Sequence, residues 1–149
     1  MCIRDRLTSL DGVDHLLETL EIHQLANRDR NLHFALLTDL RDASTEQLPG
    51  DAVLLQRART GIERLNRKYT DKTKDRFFLF HRPRRWNAGE GLWMGYERKR
   101  GKLTEFNAFL RGGSPACFSE LVGATAILST CKYVITLDTD CLLYTSRCV

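Results

Sequence analysis

Two aspartates separated by one residue, Asp138 and Asp140, follow the apolar run 132–137. Alternate residues of an extended segment point the same way, so both carboxylates can reach one divalent ion or one ribose. Mg²⁺ and Mn²⁺ prefer such oxygen ligands and usually share them with phosphate. Two carboxylates this close are costly without a cation or a hydroxyl partner. The same pattern also fits a solvated loop or a helix N-cap, so a metal site depends on the surrounding elements.

A further carboxylate ends another apolar run. Residues 32–39 form a compact apolar segment that finishes at Asp39, as a buried parallel strand would. The carboxyl ends of parallel strands meet at one edge of a sheet, and such sheets bind ligands there. We therefore expect Asp39 to lie at the same edge as Asp138 and Asp140.

Four cations occupy the start of a predicted helix within the segment 97–102. They are Arg98, Lys99, Arg100 and Lys102. Cations at this end oppose the helix dipole, and an anion bound nearby would reverse that penalty. A nucleotide diphosphate fits the pattern, and a solvated basic turn fits it equally well. Asn107, on the polar side of the same helix, could hydrogen-bond to a ligand or to a loop.

Aromatic side chains and arginines are mixed in the segment 81–97, which includes Trp93 and consists mostly of the predicted loop 83–97. Flat aromatic faces beside hydrogen-bonding groups suit sugars, and the same mixture suits stacking with single-stranded nucleic acid. Aromatics that close the core below a loop are the plainer alternative. The segment 89–91 (Gly-Glu-Gly) is not a phosphate-binding loop, because the Walker spacing is missing.

Composition excludes several classes of protein. The five cysteines and four histidines show neither zinc-ligand spacing nor a disulfide framework, and no nucleophile paired with a base can be identified. A formal net charge of +4 is too small to indicate nucleic-acid binding by itself. No apolar run approaches the roughly 20 residues of a membrane helix.

Hydrophobic periodicity predicts the elements that must position these residues. Helices are predicted at 11–27, with Asp11 as N-cap, at 51–69 and from 98 to the glycines at 112–113 that follow its end, and strands at 32–39, 76–82 and 132–138. Helices that alternate with strands indicate βαβ units around a mainly parallel sheet. The expected fold class is α/β, with helices flanking the sheet.

The two chain ends can be encoded by one short DNA element in opposite orientations. A DNA stretch that encodes residues 141–146 (CLLYTS) on one strand can encode residues 1–5 (MCIRD) on the complementary strand, in a different reading frame. The element resembles a transposon end used to prepare sequencing libraries. We therefore expect residues 1–6 and 141–149 to derive from adapter DNA, and 7–140 to be part of a nucleotide-sugar-binding domain. On this view the first strand of the fold, before Leu7, is missing.

Four long segments in order resemble the glycosyltransferase part of bacterial cyclic β-1,2-glucan synthases. They are 25–43 (LANRDRNLHFALLTDLRDA), 77–87 (FFLFHRPRRWN), 93–112 (WMGYERKRGKLTEFNAFLRG) and 133–140 (YVITLDTD). The resemblance implies a partial A-type glycosyltransferase fold, which is Rossmann-like. It also implies an inverting enzyme that transfers glucose from UDP-glucose to a glucan attached to its own parent protein. That parent lies in the bacterial inner membrane, through parts absent here, with the transferase on the cytoplasmic face.

The resemblance also implies roles for individual residues. Asp39 would lie near the uracil, Lys102 near the nucleotide, and Asp138 at the ribose or the metal. Asp140 would hold Mg²⁺ or Mn²⁺ on the diphosphate, and four further residues are possible substrate contacts: Arg98, Arg100, Asn107 and Trp93. No general base can be named, so we expect no turnover from this stretch alone.

Two other functions stay open from the residues themselves. The basic and aromatic region 81–102 could form a nucleic-acid-binding module, although the resemblance implies no nucleic-acid partner. The second alternative is a doubly wound phosphohydrolase that uses Asp138 and Asp140.

Overall fold

Seven strands and three α-helices make up the part of the chain described by the computed structural model, residues 1–69 and 75–138. The strands are β1 (Cys2–Leu7), β2 (Phe34–Leu40), β3 (Phe77–His81), β4 (Arg85–Asn87), β5 (Leu92–Met94), β6 (Glu120–Val122) and β7 (Thr136–Asp138). The helices are α1 (Leu10–Ala26), α2 (Asp51–Tyr69) and α3 (Arg98–Leu110). Two short 3₁₀ segments, Pro115–Cys117 and Thr125–Thr130, follow α3.

Five of the strands form one sheet in the order β6-β3-β2-β1-β7. The pairs β1–β2, β2–β3 and β1–β7 are parallel, and β6 is antiparallel to β3. From β1 the chain proceeds to β2 and β3 on one side, and β7 then pairs on the other side of β1. The strand order therefore reverses at β1, and the expected α/β fold with a mainly parallel sheet and flanking helices is confirmed, consistent with a partial Rossmann-like fold.

Strand β1 corrects the expectation that the first strand of the fold is missing. Residues Cys2–Leu7 pair with both β2 and β7, and Ile3 is 1% exposed in the core. That expectation is wrong because Cys2–Leu7 themselves form a strand, paired along their length with β2. The origin of residues 1–6 and 141–149 in adapter DNA stays a prediction. Residues 139–149, which include Asp140, lie outside the described residues.

The sheet separates two apolar layers. Helices α1 and α2 cover one face, where they pack against alternate strand residues such as Ile3, Leu36 and Leu79. Phe106 of α3 packs against the opposite face, which presents the intervening strand residues. On the first face the two helices approach closely at Gly61, where a Cβ atom would lie 2.2 Å from Leu17 Cδ1. The period-2 alternation of the strands thus decides which side chains meet α3.

Several elements differ from the sequence prediction, most of them by one or two residues at an end. Ser9 rather than Asp11 caps α1, since its Oγ accepts a hydrogen bond from the Gly12 amide at 3.0 Å. The loop 83–97 contains the hairpin β4–β5. Strand β6 was not predicted, and β7 begins at Thr136 rather than at residue 132. Across residues 1–69 and 75–138, none of the helices combines the length and apolar character needed to cross a bilayer.

Candidate functional site

Strand alternation places three charged side chains on the sheet face that α3 covers. Cys2, Leu37 and Phe80 belong to the apolar layer beneath α3. Two residues after each of these, in the same order, come Arg4, Asp39 and Arg82. Side chains two residues apart in a strand point to the same face, so these three share the face of the apolar layer. They lie near the carboxyl ends of β1, β2 and β3. The sheet therefore delivers a group of charges to one edge, where the N-terminus of α3 meets it.

A cavity of about 610 Å³ opens at this edge. It lies beside the carboxyl ends of β1, β2 and β7, where the strand order reverses, which is the usual ligand position in open α/β sheets. Twelve residues line it: Arg4, Asp5, Arg6, Asp39, Asp42, Gly95, Glu97, Arg98, Lys99, Arg100, Lys102 and Asp138. Six residues singled out from the sequence thus meet in one cavity: Asp39, Arg98, Lys99, Arg100, Lys102 and Asp138.

Asp39 is held between two buried cations. Its Oδ1 accepts a hydrogen bond from Lys102 Nζ at 2.8 Å, and its Oδ2 accepts one from Arg82 at 3.2 Å. Lys102 Nζ also donates to the backbone carbonyl of Asp5 at 2.8 Å. Burial lowers the pKa of Lys102 from its usual value, while the negative charge of Asp39 opposes that shift. The arrangement gives the cavity an inner wall whose buried charges are paired.

Asp138 lies at the cavity with two cations on one oxygen. Arg4 lies 3.1 Å and Lys99 3.2 Å from Asp138 Oδ2, and the Asp138 side chain is 27% exposed. Its hard carboxylate oxygens suit Mg²⁺ or Mn²⁺. Among the described residues, no three His, Cys, Asp or Glu side chains are grouped to hold a metal ion. The predicted partner in such a site, Asp140, lies outside the described residues.

The start of α3 is an unusual turn. Glu97 and Arg98 have φ angles of 50° and 45°, in the left-handed region, which costs side-chain-bearing residues about 1–2 kcal/mol each. The first turn of the helix contains no acidic residue. Gly101 makes the turn possible, because a Cβ atom there would lie 2.2 Å from the carbonyl oxygen of Tyr96. The result is a basic helix N-terminus at the cavity, where an anion would be stabilised.

Gly95 brings the backbone of this turn against Asp39. A Cβ atom on Gly95 would lie 2.3 Å from Asp39 Oδ2 and 2.9 Å from its Cγ. A side chain at this position would displace the carboxylate from its two cations. Glycine is therefore required for close packing at this position, between the turn and β2.

Two predicted substrate contacts lie elsewhere. Trp93 in β5 packs against Trp86 of β4 with ring centroids 5.9 Å apart, and it pairs with Ala43 through backbone hydrogen bonds. Asn107 is exposed on α3. Trp93 is half-buried, and neither residue lines the cavity.

Sequence reasoning missed several residues that build the site. Arg4 and Arg6 lie in the N-terminal segment expected to derive from adapter DNA, and Asp42 lies between the predicted strand 32–39 and the predicted helix 51–69. The clearest missed signal is Arg82, which follows the apolar strand 77–81 directly and is 2% exposed. A cation that continues a buried strand needs a buried acceptor. The other strand-end carboxylate, Asp39, was available as that acceptor.

Comparison with known proteins identifies a relative. Over 130 residues the sequence is 46% identical to a protein of Rhizobium meliloti (strain 1021), the cyclic beta-(1,2)-glucan synthase NdvB. The match covers 87% of this chain and 4% of that much longer protein. No family model matches the sequence. The chain thus belongs with the cyclic β-(1,2)-glucan synthases as a relative of one stretch of their sequence, which confirms the family that its motifs predicted.

Proposed function

We propose that this chain is the donor-binding part of an inverting glycosyltransferase that transfers glucose from UDP-glucose to a growing β-1,2-glucan. The observation that carries the proposal is the cavity at the strand-order reversal, with carboxylates on β2 and β7 and a basic helix start between them. The similarity to a protein named as a cyclic beta-(1,2)-glucan synthase supports the choice of reaction. Its volume of about 610 Å³ lies within the usual range for small-ligand sites, about 300–1,000 Å³.

The charges of the cavity suggest how the donor would lie. The diphosphate would be bound by the basic first turn of α3, where Arg98, Lys99 and Arg100 are all exposed to the cavity. Lys102 and Asp39, fixed to each other in the wall, would lie beside the nucleotide, with Asp39 near the uracil. Asp138 would contact the ribose or share the metal ion.

The proposed cofactor is Mg²⁺ or Mn²⁺, held by Asp138 and Asp140. A divalent ion bound there would neutralise the UDP leaving group as the glycosidic bond breaks. Asp138 has the oxygen donors that such an ion prefers, and an ion bound there would take the place of Arg4 and Lys99 at its Oδ2. The glucan acceptor, a position on the cytoplasmic face of the inner membrane and a parent protein that carries the acceptor are proposed from the family alone.

Isothermal titration of the full chain with UDP-glucose tests the proposal. We expect binding that strengthens when Mg²⁺ or Mn²⁺ is added, and that loses this metal dependence in Asp138→Asn. Lys132→Ala, which removes an exposed cation outside the cavity, serves as the matched control. Absence of UDP-glucose binding with either metal, from a chain shown to be folded by circular dichroism, would contradict the proposal.

The alternative of a nucleic-acid-binding module rests on the same basic helix start. It predicts binding of a single-stranded oligonucleotide that weakens steeply with salt and ignores divalent metal. Titration with a short oligonucleotide at two salt concentrations separates the two functions. Tight oligonucleotide binding together with no response to UDP-glucose would favour this alternative.

A further inference from the structure

Arg82 makes a group of contacts that the donor-binding role does not use. Its guanidinium is buried at 2% exposure and donates from Nη1 to Glu105 at 2.8 Å. From Nη2 it donates to Asp39 at 3.2 Å, to the Tyr96 carbonyl at 3.1 Å and to the Arg98 carbonyl at 3.2 Å. One side chain therefore joins the end of β3 to β2 and to both sides of the turn before α3.

The two carbonyls that Arg82 holds flank the left-handed residue Glu97. Left-handed side-chain-bearing residues persist only where the surrounding structure fixes them. Glu97 has no side-chain capping bond to its own helix, and no acid lies in the first turn. The side-chain contacts within the turn are exposed ion pairs such as Arg100 to Glu97 at 2.8 Å, which contribute little, whereas the guanidinium of Arg82 constrains the turn from a buried position.

A lysine could not make the same contacts. Its single ammonium group is a compact donor, whereas the planar guanidinium presents nitrogen atoms in a fixed fork. Arg82 uses two of these nitrogens for acceptors in different elements. Its Nε is buried without a hydrogen-bond partner among the described residues, so the side chain is oriented by the acceptors at its tip.

We infer that Arg82 is a positioning residue that holds the left-handed turn at Glu97 and Arg98, and thereby aims the basic start of α3 at an anionic ligand in the cavity. The ligand class is a nucleoside diphosphate, so this part of the inference rests on the proposed function. Arg82 itself lies behind Asp39 and does not line the cavity. It acts through the turn rather than by touching the ligand.

Hydrogen exchange of the full chain tests the positioning role without any ligand. The Arg98 amide donates to the Gly95 carbonyl and the Gly101 amide to the Glu97 carbonyl, so both report on the turn. In Arg82→Lys we expect both amides to exchange roughly tenfold faster, while amides of β2 and β3 keep their wild-type protection. Unchanged exchange at Arg98 and Gly101 would overturn the inference even if the chain binds no nucleotide.

Binding of UDP, measured by titration calorimetry, tests the consequence for the ligand. Arg82→Lys should bind UDP roughly tenfold more weakly, the loss expected for removing charge-assisted hydrogen bonds that position the site. Wild-type affinity in a folded Arg82→Lys variant would overturn the inference. If the wild-type chain itself binds no UDP, the proposed function fails, whereas the exchange result still decides the role of Arg82.

A double-mutant cycle separates positioning from general stability. Asn adopts the left-handed region more readily than Glu, so Glu97→Asn should restore more UDP affinity in the Arg82→Lys background than it adds in the wild type. An equal effect of Glu97→Asn in both backgrounds would overturn the inference.

If Arg82→Lys does not fold, a second variant replaces it. Arg82→Met with Glu105→Gln removes one charge of each sign and leaves Asp39 paired with Lys102. Exchange of the Arg98 and Gly101 amides and the effect of Glu97→Asn on UDP affinity are then measured in this double variant. Unchanged exchange, or an effect of Glu97→Asn equal to that in the wild type, would overturn the inference.

Discussion

The ammonium nitrogen of Lys102 lies 2.8 Å from Oδ1 of Asp39, and both side chains are at most 5% exposed. The pair joins α3 to the carboxyl end of β2 inside the wall of the cavity. A buried carboxylate and a buried ammonium group each carry a large desolvation penalty, which their mutual attraction offsets only when both are present. The wall of the cavity is therefore also part of what holds α3 on the sheet.

Lys102→Met should destabilise the chain by about 3 kcal/mol, because removing one partner of a buried ion pair leaves the other charge poorly compensated. Arg82 stays beside Asp39 and limits the loss. Urea denaturation measures the change. The matched control is Lys99→Met, since Lys99 pairs with Asp138 but its side chain is 71% exposed. That surface pair should contribute at most about 1 kcal/mol, so equal effects from the two variants would contradict a structural role for Lys102.

Gly95→Ala should destabilise the chain by about 1–3 kcal/mol, the usual cost of forcing atoms into a packed site. The new Cβ atom would meet Asp39 Oδ2 at 2.3 Å, so either the carboxylate or the turn must move. UDP binding should weaken as well, because both groups form the cavity. Thermal denaturation and titration calorimetry measure the two effects.

Gly89→Ala is the control for this variant in the neighbouring hairpin loop. Its Cβ atom would meet only the Asn87 side-chain oxygen, at 3.3 Å, and Gly89 is itself exposed, so a shift of a few tenths of an ångström relieves the contact. Stability within about 0.5 kcal/mol of the wild type is expected there. A Gly95→Ala chain as stable as Gly89→Ala would show that the turn is looser than its contacts indicate.

The regular elements could be predicted from the sequence because their patterns are strong and local. Helix α2 (Asp51–Tyr69) was predicted with its observed bounds, since Ala58, Ile62 and Leu65 recur at helical spacing and are buried. The apolar runs that became β2 and β3 were also identified. By contrast, β6 has three residues, Glu120–Val122, which is too short for an alternation to show.

The site could be predicted only in part. Strand ends and a basic helix start are visible in the sequence, and six residues named from it line the cavity. Which charges are buried was not visible, because burial of Lys102 depends on how α3 packs across β2. The partners Arg4 and Arg82 depend on strand register, which pairs Arg4 with Asp138 only after the sheet is assembled.

The basic start of α3 should control nucleotide affinity and its dependence on salt. Replacing Arg98, Lys99 and Arg100 together by alanine should weaken UDP binding about tenfold at low salt and flatten its salt dependence, because exposed charges act through screened attraction. Titrations at two salt concentrations measure both effects. Lys132→Ala, an exposed cation outside the cavity, should change neither. A triple variant with the wild-type salt dependence would place the diphosphate elsewhere.

His81 should make the stability of the fold depend on pH. It ends β3 on the sheet face opposite Arg82, and its Nδ1 lies 2.8 Å from Thr38 Oγ1 on the neighbouring strand. Burial lowers its pKa from 6.5 to about 4; Asp39 and Asp51 raise it, and Lys102 and Arg84 lower it further. At neutral pH the ring is neutral in both the folded and the unfolded chain, so it contributes no pH dependence there.

As the pH falls below 6.5, the unfolded chain binds a proton on His81 that the folded chain does not bind until about pH 4, so stability is lost across this window. The loss from His81 between about pH 7.5 and about pH 4.5 should be about 2–3 kcal/mol at 1.36 kcal/mol per pKa unit. Urea denaturation at the two pH values measures it.

A His81→Gln variant separates this loss from that of His23, whose pKa is also lowered by burial. His23 adds a loss of the same sign, and that loss is shared by wild type and variant. The difference between wild type and His81→Gln therefore isolates His81: the variant is less stable at neutral pH but should lose about 2–3 kcal/mol less on acidification. Equal losses in the two chains would mean that His81 is protonated in the folded state well above pH 4.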